Sequence, residues 1–399
     1  MRVPQPSNSP SSGFTVLHLV QPVDGGVGRV VADLVHAQVA AGMRVVVACP
    51  DRGPLTADVA ALGAETEVWR ATRDPGFGLP AEIRRVNELI GRIRPDVVHA
   101  HSAKAGFAGR LAVRGRIPTV FQPHAWSFEA VSGTTAALAR GWERLAARWT
   151  ARVVCVSEAE RGRGERAGVR APWTVVHNGV DADRFRPADT AGALSSTAAD
   201  RAALPLLAEL PPETPLVACV GRLCRQKGQD VLLRAWPLVL RDLPDARLVL
   251  VGDGPDAERL REGAPPSVLF AGAVTDTAPW YRAADLVVLP SRWEGMAVAP
   301  LEAMASGRTV LLSDVDGARE SLLPHQRAHC LTAPEDHAAT AKAITALLRD
   351  RSLRDTFGRE GHEHVRGAHD VRRTTSAIAD VYRDVAAVPR PERREPISQ

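Results

Sequence analysis

Two glutamates eight positions apart bracket a predicted helix start. Glu294 and Glu302 lie in the stretch SRWEGMAVAPLEAMASG (291–307), which follows the apolar, strand-like run DLVVLP. Pro300 suits the first turn of a helix because its missing N–H group is not needed there, and Gly307 suits the left-handed position at a helix end. Backbone N–H groups at such a helix start can bind phosphate. The same pattern also fits an ordinary strand–turn–helix unit with two solvated glutamates.

A pair of cations follows another apolar run. The segment GRLCRQKG (221–228) comes directly after PLVACV and carries Arg222 and Lys227 in a short loop bounded by glycines. Arginine can bind phosphate oxygens through two N–H groups, and lysine adds a point charge. An isolated pair would more often be solvated, but its place at a strand end favours phosphate. With the helix start it predicts a nucleotide-diphosphate site, in which Glu302 binds ribose hydroxyls and Glu294 meets an attached sugar.

Alternating apolar runs and helical patterns predict two successive α/β domains of the Rossmann-like kind that face each other across a cleft. A chain of 399 residues is also too long for one ordinary core. From the amino terminus, we expect these segments: a disordered tail (1–13), the first domain (14–185), a linker rich in Pro, Ala, Ser and Thr (186–214), the second domain (215–368), a last amphipathic helix (369–388) and a second disordered tail (389–399).

Three histidines lie near predicted strand ends in the first half of the chain. DVVHAHSAKAG carries His99 and His101, and IPTVFQPHAW carries His124. Ligands of open α/β sheets bind outside the carboxyl ends of the strands, which favours a function for at least one of the three. The glycine-rich segment QPVDGGVGR (21–29) is expected to be a turn after the first strand. It lacks the GxGxxG dinucleotide pattern, but its glycines let the backbone approach a ligand.

Composition and charge exclude several other classes of protein. The chain is 45% apolar, and its 50 basic and 46 acidic residues leave a net charge of only +4, so we predict no nucleic-acid partner. The five cysteines form no CxxC pair, which favours buried free thiols in a reducing compartment. No run reaches the ~18 apolar residues of a membrane span, and the first residues lack the apolar core of a signal peptide. We therefore expect a cytoplasmic protein.

A stripe of basic residues leaves open a contact with the inner face of the cell membrane. Arginines recur every four residues, with two tryptophans between them: Arg140, Trp142, Arg144, Arg148, Trp149 and Arg152. This pattern fits binding to an anionic membrane surface or to a lipid-phosphate acceptor. We favour the alternative, a solvated helix face whose side-chain stems pack on the domain.

The two motifs together resemble a known family. GRLCRQKG followed by EGMAVAPLE is similar to the signature of retaining glycosyltransferases of the GT-B fold, the "glycosyl transferases group 1" (family 4) type. GGVGR, DVVHAHSAKAG, QPHAW and HNGVDADRF resemble the family's amino-terminal pattern in the expected order, so the resemblance covers about residues 14–388. It implies an α/β fold of two Rossmann-like domains facing across a cleft (GT-B). It also implies that the last helix crosses back onto the first domain.

The resemblance implies roles at the matched positions. The donor-binding residues would be Gly25, Gly26, Arg222, Lys227, Glu294, Gly295, Met296, Ala297, Val298 and Glu302. The first two glycines would close against the donor phosphates, the cations would bind the pyrophosphate, and the 295–298 backbone would complete the phosphate cradle. His124 would hydrogen-bond the donor sugar near the reacting carbon and would act in catalysis with Glu294, Arg222 and Lys227.

The implied mechanism needs no metal and no other cofactor. Negative charge on the departing diphosphate would be stabilised by Arg222, Lys227 and helix N–H groups. Retention in this family is usually explained by attack on the same face of the sugar, with the leaving phosphate taking the acceptor's proton. A double displacement through Glu294 remains an alternative. Asp314 and Asp316 form a DxD-like pair in a strand-end loop, which we interpret as a cleft wall or an acceptor-side turn.

The substrates are less defined than the donor site. UDP is the default donor base, as the commonest in such families, and the acceptor hydroxyl could belong to a lipid-linked saccharide, a polysaccharide precursor or a small natural product. Acceptor choice would lie in the loops 77–80 and 127–135 of the first domain. Two other functions remain open: a non-hydrolysing nucleotide-sugar epimerase and an inactive nucleotide-sugar-binding partner. The intact cations and glutamates disfavour the second, and the sequence leaves the oligomeric state open.

Overall fold

The computed structural model describes residues 13–51, 53–72, 76, 78–187 and 199–387. Within these residues the chain forms two parallel β-sheets with helical connections, so the predicted α/β fold is confirmed. The two expected tails lie outside the described residues, apart from Gly13, and so do 188–198 of the expected linker and Phe77 of an expected acceptor loop.

The first sheet has seven parallel strands in the order β3-β2-β1-β4-β5-β6-β7. Its strands are β1 (Thr15–Val20), β2 (Arg44–Cys49), β3 (Glu65–Val68), β4 (Val97–His101), β5 (Thr119–Gln122), β6 (Arg152–Cys155) and β7 (Trp173–Val175). The connecting helices are α1 (Gly25–Ala40), α2 (Leu55–Ala61), α3 (Leu79–Ile93), α4 (Ser102–Val113), α5 (Gly133–Ala146) and α6 (Glu158–Arg166). Both faces of the sheet are buried because alternate side chains of β1 enter different apolar clusters, with Val16 in one and Leu17 in the other.

The second sheet has six parallel strands in the order β10-β9-β8-β11-β12-β13. Its strands are β8 (Leu216–Val220), β9 (Arg247–Val251), β10 (Val268–Gly272), β11 (Leu286–Leu289), β12 (Val310–Ser313) and β13 (Leu331–Thr332). Its helices are α7 (Gln229–Asp242), α8 (Ala257–Glu262), α9 (Ala278–Ala283), α10 (Val298–Ala305), α11 (Ala318–Ser321), α12 (Arg327–Cys330), α13 (His337–Arg349) and α14 (Arg351–Ala368). The strand order reverses beside β1 and beside β8, and crevices for ligands form at such points.

The last helix, α15 (Val371–Ala387), packs against the first sheet. The buried Tyr382 hydroxyl lies 2.6 Å from His99 Nδ1 and accepts a hydrogen bond from Gln38 Nε2 at 3.3 Å. Ahead of the helix, Val180 and Asp370 form a parallel β-bridge. The chain thus returns from the second sheet to the first. None of the described helices combines the length and the apolar content needed to cross a membrane.

Several elements differ from the sequence-based expectations. The glycine-rich segment is a turn only over residues 21–24, because α1 already begins at Gly25. Gly28 permits this start, since a Cβ there would lie only 2.7 Å from the Val23 carbonyl oxygen. Strand β3 and helix α6 were not predicted, because ETEV and EAERGRGER carry too few apolar residues to show a period. All five cysteines are free as expected, with Cys224 less deeply buried than the others.

The segment Gly295–Met296 brings the backbone of the second domain against the first domain. Ser157 Oγ donates to the Gly295 carbonyl oxygen at 2.8 Å, and Asn178 Nδ2 donates to the Met296 carbonyl oxygen at 2.7 Å. A Cβ at Gly295 would lie 2.8 Å from Glu160 Oε1 and 3.0 Å from the Ala125 nitrogen. The backbone of the second domain therefore reaches the first domain at a point where no side chain fits.

The contact predicts that Gly295→Ala separates the domains. The added methyl group cannot fit without moving the backbone of one domain, so the closed form should lose stability while each core stays intact. Small-angle scattering should show a larger radius of gyration, and the thermal unfolding midpoint should fall by several degrees. Gly141→Ala is the matched control, because nothing lies within 4 Å of its Cβ; equal behaviour of the two variants would contradict the account.

Buried histidines predict a loss of stability in mild acid. Burial lowers the pKa of His369 to about 4 from an ordinary value near 6.5, so the unfolded chain takes up a proton between those values and the folded chain does not. Stability therefore falls as the pH drops from 7 to 5, by about 2 kcal/mol for one such residue. Urea unfolding should show a smaller loss in His369→Asn, whose amide can still donate to Asn178 O. An equal loss in both proteins would refute this assignment.

Candidate functional site

The loop after β8 brings a lysine to a glutamate at the end of β11. Lys227 ends a short 3-10 turn (Arg225–Lys227), and its Nζ lies 2.5 Å from Glu294 Oε1. Gly228 lets the loop lie against the neighbouring strand end, because a Cβ there would lie 2.0 Å from the Pro290 carbonyl oxygen. Glu294 also accepts a hydrogen bond from Ser291 Oγ at 2.8 Å and is 7% exposed. Its carboxylate is thus fixed in place and neutralises the lysine.

The second cation, Arg222, bridges the gap between the domains. Its Nε lies 3.6 Å from Asp24 Oδ2, just ahead of α1. Gly26 faces the second domain as well, since a Cβ there would lie 3.6 Å from Val298 Cγ2, whereas a Cβ at Gly25 would meet nothing within 4 Å. Gly25 has a left-handed φ of 64°, a conformation that favours glycine. The structure therefore brings the predicted glycines, Arg222 and the start of α10 together.

Helix α10 begins at Val298 without a side-chain cap. Its N-cap Ala297 has an extended backbone, and Pro300 is the third helical residue, where no N–H group is needed. The helix ends as the sequence predicts: Gly307 has a φ of 73°, and its nitrogen donates to the Met304 carbonyl oxygen at 2.9 Å. The N–H groups of the first turn have no capping side chain, and such a helix start can bind an anion.

Glu302 lies one turn into α10 at the interdomain gap. It is 9% exposed and accepts a hydrogen bond from the Tyr281 hydroxyl at 2.7 Å. Burial raises the pKa of Glu302, and Arg29 and Arg184 of the first domain oppose this effect. Arg29 also pairs with Asp33 at 3.4 Å. Sequence reasoning missed these first-domain residues, although Gly25, Arg29 and Asp33 share one face of α1 by their spacing of four.

The turn that carries His124 has an unusual backbone. His124 has a φ of 56° and Ala125 a φ of 114°, conformations that cost non-glycine residues roughly 1–3 kcal/mol each. The Ala125 nitrogen donates to Glu160 Oε1 at 2.7 Å, and the Val156 nitrogen donates to Glu160 Oε2 at 2.7 Å. Glu160 therefore holds this turn. Burial raises the pKa of its carboxyl to about 8.

Glu160 was not predicted from the sequence, although a signal was present. Ser157 caps α6 by accepting a hydrogen bond from the Glu160 nitrogen at 3.0 Å. A serine followed three residues later by glutamate is a helix-start pattern. Here the glutamate side chain reaches the neighbouring strand-end turn instead of the cap residue.

The three strand-end histidines do not share one environment. His99 and His101 are fully buried, whereas His124 is half-buried and hydrogen-bonds His101 Nδ1 through Nε2 at 3.2 Å. His99 lies inside β4 and not at its end, and its ring faces the core and the last helix. His18, His99 and His101 bring ring nitrogens within 4.8 Å of one another, a spacing that could hold a metal ion.

A cavity of about 520 Å³ lies beside Glu294 between the domains. Arg140 and Arg166 of the first domain line it, and neither pairs with a carboxylate among the described residues. Arg163 is different, because its guanidinium forks onto the Asp316 carboxylate at 2.6 and 2.7 Å. Asp316 is thus a wall of the cleft, tied to the other domain.

The arginine stripe divides into residues with different partners. Arg144 Nε donates to the Ala167 carbonyl oxygen, and Arg148 lies over the Trp149 ring. Arg152 donates to Thr174 Oγ1 at 3.2 Å. Of the four arginines in the stripe, Arg140 is the one that lines the cavity. The stripe is not the single helix face that was expected, because α5 ends at Ala146, Arg148 lies in a short 3-10 turn and Arg152 begins β6. The contacts of Arg144, Arg148 and Arg152 given above are all with their own domain.

The sequence matches two family models and several characterised bacterial proteins. Residues 24–184 match the model for "Glycosyltransferase Family 4", and residues 214–350 match that for "Glycosyl transferases group 1". A phosphatidyl-myo-inositol mannosyltransferase of Mycobacterium leprae is 30% identical over 381 residues, 91% of this chain and 94% of that protein. The lipopolysaccharide core biosynthesis mannosyltransferase LpcC of Rhizobium leguminosarum bv. viciae is 33% identical over 225 residues, 54% of this chain and 60% of LpcC.

The fold also matches solved structures. HepE of Anabaena in complex with UDP-glucose superposes with a TM-score of 0.78 at 24% identity, covering 93% of this chain and 100% of HepE. At this identity the likeness shows the fold, and the predicted two-domain GT-B arrangement is confirmed. Both family models and a relative similar over nearly its whole length show that this chain belongs to the group 1 (family 4) glycosyltransferases and is an enzyme of that class.

Proposed function

We propose that this enzyme transfers a sugar, with retention of configuration and without a metal ion, from a nucleotide-diphosphate sugar to the hydroxyl group of an anionic acceptor. One observation supports the proposed donor-binding site: Lys227, Arg222 and the uncapped start of α10 lie together at one edge of the cleft. These groups offer two cations and several N–H donors to a diphosphate. Glu302, one turn farther along, offers a buried carboxylate to the ribose hydroxyls.

The bond that breaks joins the sugar to the diphosphate, and negative charge grows on the diphosphate as it leaves. Preorganised donors directed at such charge lower the barrier. In the free protein Lys227 is neutralised by Glu294 and Arg222 by Asp24. A diphosphate bound between them replaces these carboxylates as the partner of both cations. This arrangement supplies the charge stabilisation that a metal ion provides in other transferases.

The surroundings of Glu294 favour same-face attack over a covalent intermediate. One oxygen, Oε1, is held by both Lys227 Nζ and Ser291 Oγ. A carboxylate held this way is suited to accept hydrogen bonds from sugar hydroxyls, and its charge is already balanced, which weakens it as a nucleophile. The departing phosphate oxygen then takes the proton of the attacking acceptor. Half-buried His124, at the opposite wall, contacts the sugar near the reacting carbon.

The donor base is proposed to be uracil. HepE, which shares the fold, binds UDP-glucose, and UDP is the commonest donor base for such enzymes. The two mannosyltransferase relatives make mannosyl donors the competing choice.

The acceptor is proposed to carry a phosphate. The cavity beside Glu294 presents the guanidinium groups of Arg140 and Arg166, which are unpaired among the described residues, and guanidinium groups bind phosphate strongly. The Mycobacterium leprae relative acts on a phosphatidyl lipid by its name, which is consistent with an anionic acceptor. We place the reaction inside the cell, where free thiols such as those of this chain persist.

The donor assignment is tested by a thermal-shift panel of UDP-, GDP-, ADP- and TDP-sugars. We expect UDP-sugars to raise the unfolding midpoint most, and Lys227→Ala and Glu302→Ala each to weaken donor binding by about 10- to 100-fold, the loss of one or two charged hydrogen bonds. Lys342→Ala, at an exposed lysine of α13, is the control for loss of charge. Unchanged donor affinity in both site variants would contradict the assignment, and release of UDP with a modified sugar but no acceptor would indicate an epimerase.

The acceptor assignment is tested with phosphorylated and neutral acceptors of otherwise equal structure, such as inositol phosphate and inositol. We expect Arg140→Ala and Arg166→Ala to raise the KM of the phosphorylated acceptor by about tenfold each and to leave donor KM unchanged, because the cavity lies beyond the sugar. Arg170→Ala provides an exposed arginine outside the cavity as the control. Equal use of the two acceptors by the unaltered protein would refute a phosphate site.

A further inference from the structure

A continuous chain of hydrogen bonds leads from helix α1 through the core to His124. Gln38 Oε1 lies 2.8 Å from His18 Nε2, and His18 Nδ1 lies 3.0 Å from His101 Nε2. His101 Nδ1 in turn lies 3.2 Å from His124 Nε2. Gln38, His18 and His101 are between 0% and 4% exposed. The proposed sugar-binding histidine is therefore the outer end of a buried network of side chains from three separate elements.

The three imidazoles of this network, those of His18, His101 and His124, are neutral at cellular pH. Burial lowers the pKa of His18 to about 4 and that of His124 to about 3, and it holds the pKa of His101 well below its ordinary value. A neutral imidazole carries one hydrogen, so one ring nitrogen donates and the other accepts. The direction of the first hydrogen bond therefore fixes the direction of every later one.

The orientation of Gln38 sets that first direction. Its Nε2 donates to the Tyr382 hydroxyl, so its carbonyl oxygen is the atom that faces His18. The Tyr382 hydroxyl is then free to donate to His99 Nδ1 at 2.6 Å. This leaves the hydrogen of His99 on Nε2. Neither this nitrogen nor Gln122 Oε1 has a hydrogen-bond partner among the described residues, so His99 lies beside the network that leads to His124 and is not a link in it.

The Gln38 carbonyl oxygen can only accept a hydrogen bond, and this determines which nitrogen donates in each later hydrogen bond. His18 carries its hydrogen on Nε2, and its Nδ1 accepts from His101 Nε2–H. His101 Nδ1 must then accept from His124 Nε2–H. The lone pair of His124 is left on Nδ1, which forms no hydrogen bond within the described part of the chain and belongs to a half-buried residue.

We propose that Gln38, His18 and His101 are positioning residues that hold His124 in the tautomer with hydrogen on Nε2, so that Nδ1 accepts a hydrogen bond from a hydroxyl group of the donor sugar. The contact with sugar rests on the proposed function, whereas the tautomer is a property of the free protein. The strained turn held by Glu160 fixes where the ring lies, and the buried chain fixes which nitrogen accepts.

The network favours this role over binding of a metal ion by the same rings. A metal ion among His18, His99 and His101 would displace the hydrogen shared by His18 Nδ1 and His101 Nε2. The group contains no carboxylate or thiolate to balance a divalent cation in the core. The hydrogen-bond network satisfies both ring nitrogens of His18 and of His101 without buried charge.

The tautomer can be measured directly by ¹⁵N NMR of the histidine side chains in the full chain without substrate. The His124 signals are assigned by their disappearance in His124→Asn. We expect the Nε2 shift to be that of a protonated, pyrrole-like nitrogen and the Nδ1 shift that of an unprotonated one. Hydrogen on Nδ1, or an equal mixture of tautomers, would overturn the proposal.

Variants of Gln38 test whether this residue sets the tautomer of His124. In Gln38→Met, which removes the acceptor at nearly equal volume, His124 should show averaged shifts, and kcat should fall about tenfold with little change in donor KM. Gln38→Glu keeps an accepting oxygen and should restore the single tautomer and most of kcat. Gln326→Met, at a buried glutamine of the second domain, is the matched control and should change neither quantity.

The outcomes separate this inference from the proposed function. Unaltered His124 shifts in Gln38→Met, or mixed tautomers with unaltered kcat, would overturn the positioning role. Should Gln38→Met fail to fold, the shifts of the unaltered protein and of Gln38→Glu still decide the tautomer. Absence of sugar transfer by the unaltered protein would instead contradict the proposed function, and the NMR result would stand on its own.

Discussion

The contact of Gly295 and Met296 with the first domain is the constraint on which the whole site depends. Two carbonyl oxygens of this short segment accept hydrogen bonds from Ser157 and Asn178, and the glycine leaves space for the turn held by Glu160. The segment leads directly into α10. This contact therefore sets the distance between the start of α10 and the turn that carries His124.

Charge is balanced in the free protein by groups that a donor would replace. Lys227 forms an ion pair with Glu294 within the second domain, and Arg222 forms one with Asp24 of the first domain. Both cations are partly exposed, so their pairs with carboxylates are weak compared with a fully desolvated contact to diphosphate. The site is thus held in shape before the donor arrives, and little rearrangement is needed when it binds. Such preorganisation is the main physical source of charge stabilisation in transferases without metal chemistry.

Much of the fold could be predicted from the sequence because parallel, doubly buried strands are continuous apolar runs. The donor-binding residues could also be predicted, since Lys227, Glu294 and α10 lie in two short motifs whose residue types and spacing indicate phosphate and sugar binding. The roles of Glu160 and Gln38 did not follow from such motifs, because each acts through residues far away in the chain, and the helix-start pattern at Glu160 shows only where α6 begins. The sequence also could not show which of the three strand-end histidines faces the cleft, as His99 illustrates. It lies near a strand end, but its side chain points toward α15, whose return to the first sheet no local pattern describes.

The most direct test of the account is a crystal structure of the protein with a bound nucleotide-diphosphate sugar. The account predicts the diphosphate at the start of α10, within hydrogen-bond distance of Lys227 Nζ, the Arg222 guanidinium and the N–H groups of the first turn. It also predicts ribose hydroxyls on Glu302 and the sugar between Glu294 and His124. A diphosphate bound elsewhere, or one at α10 with the sugar directed away from the first domain, would contradict it.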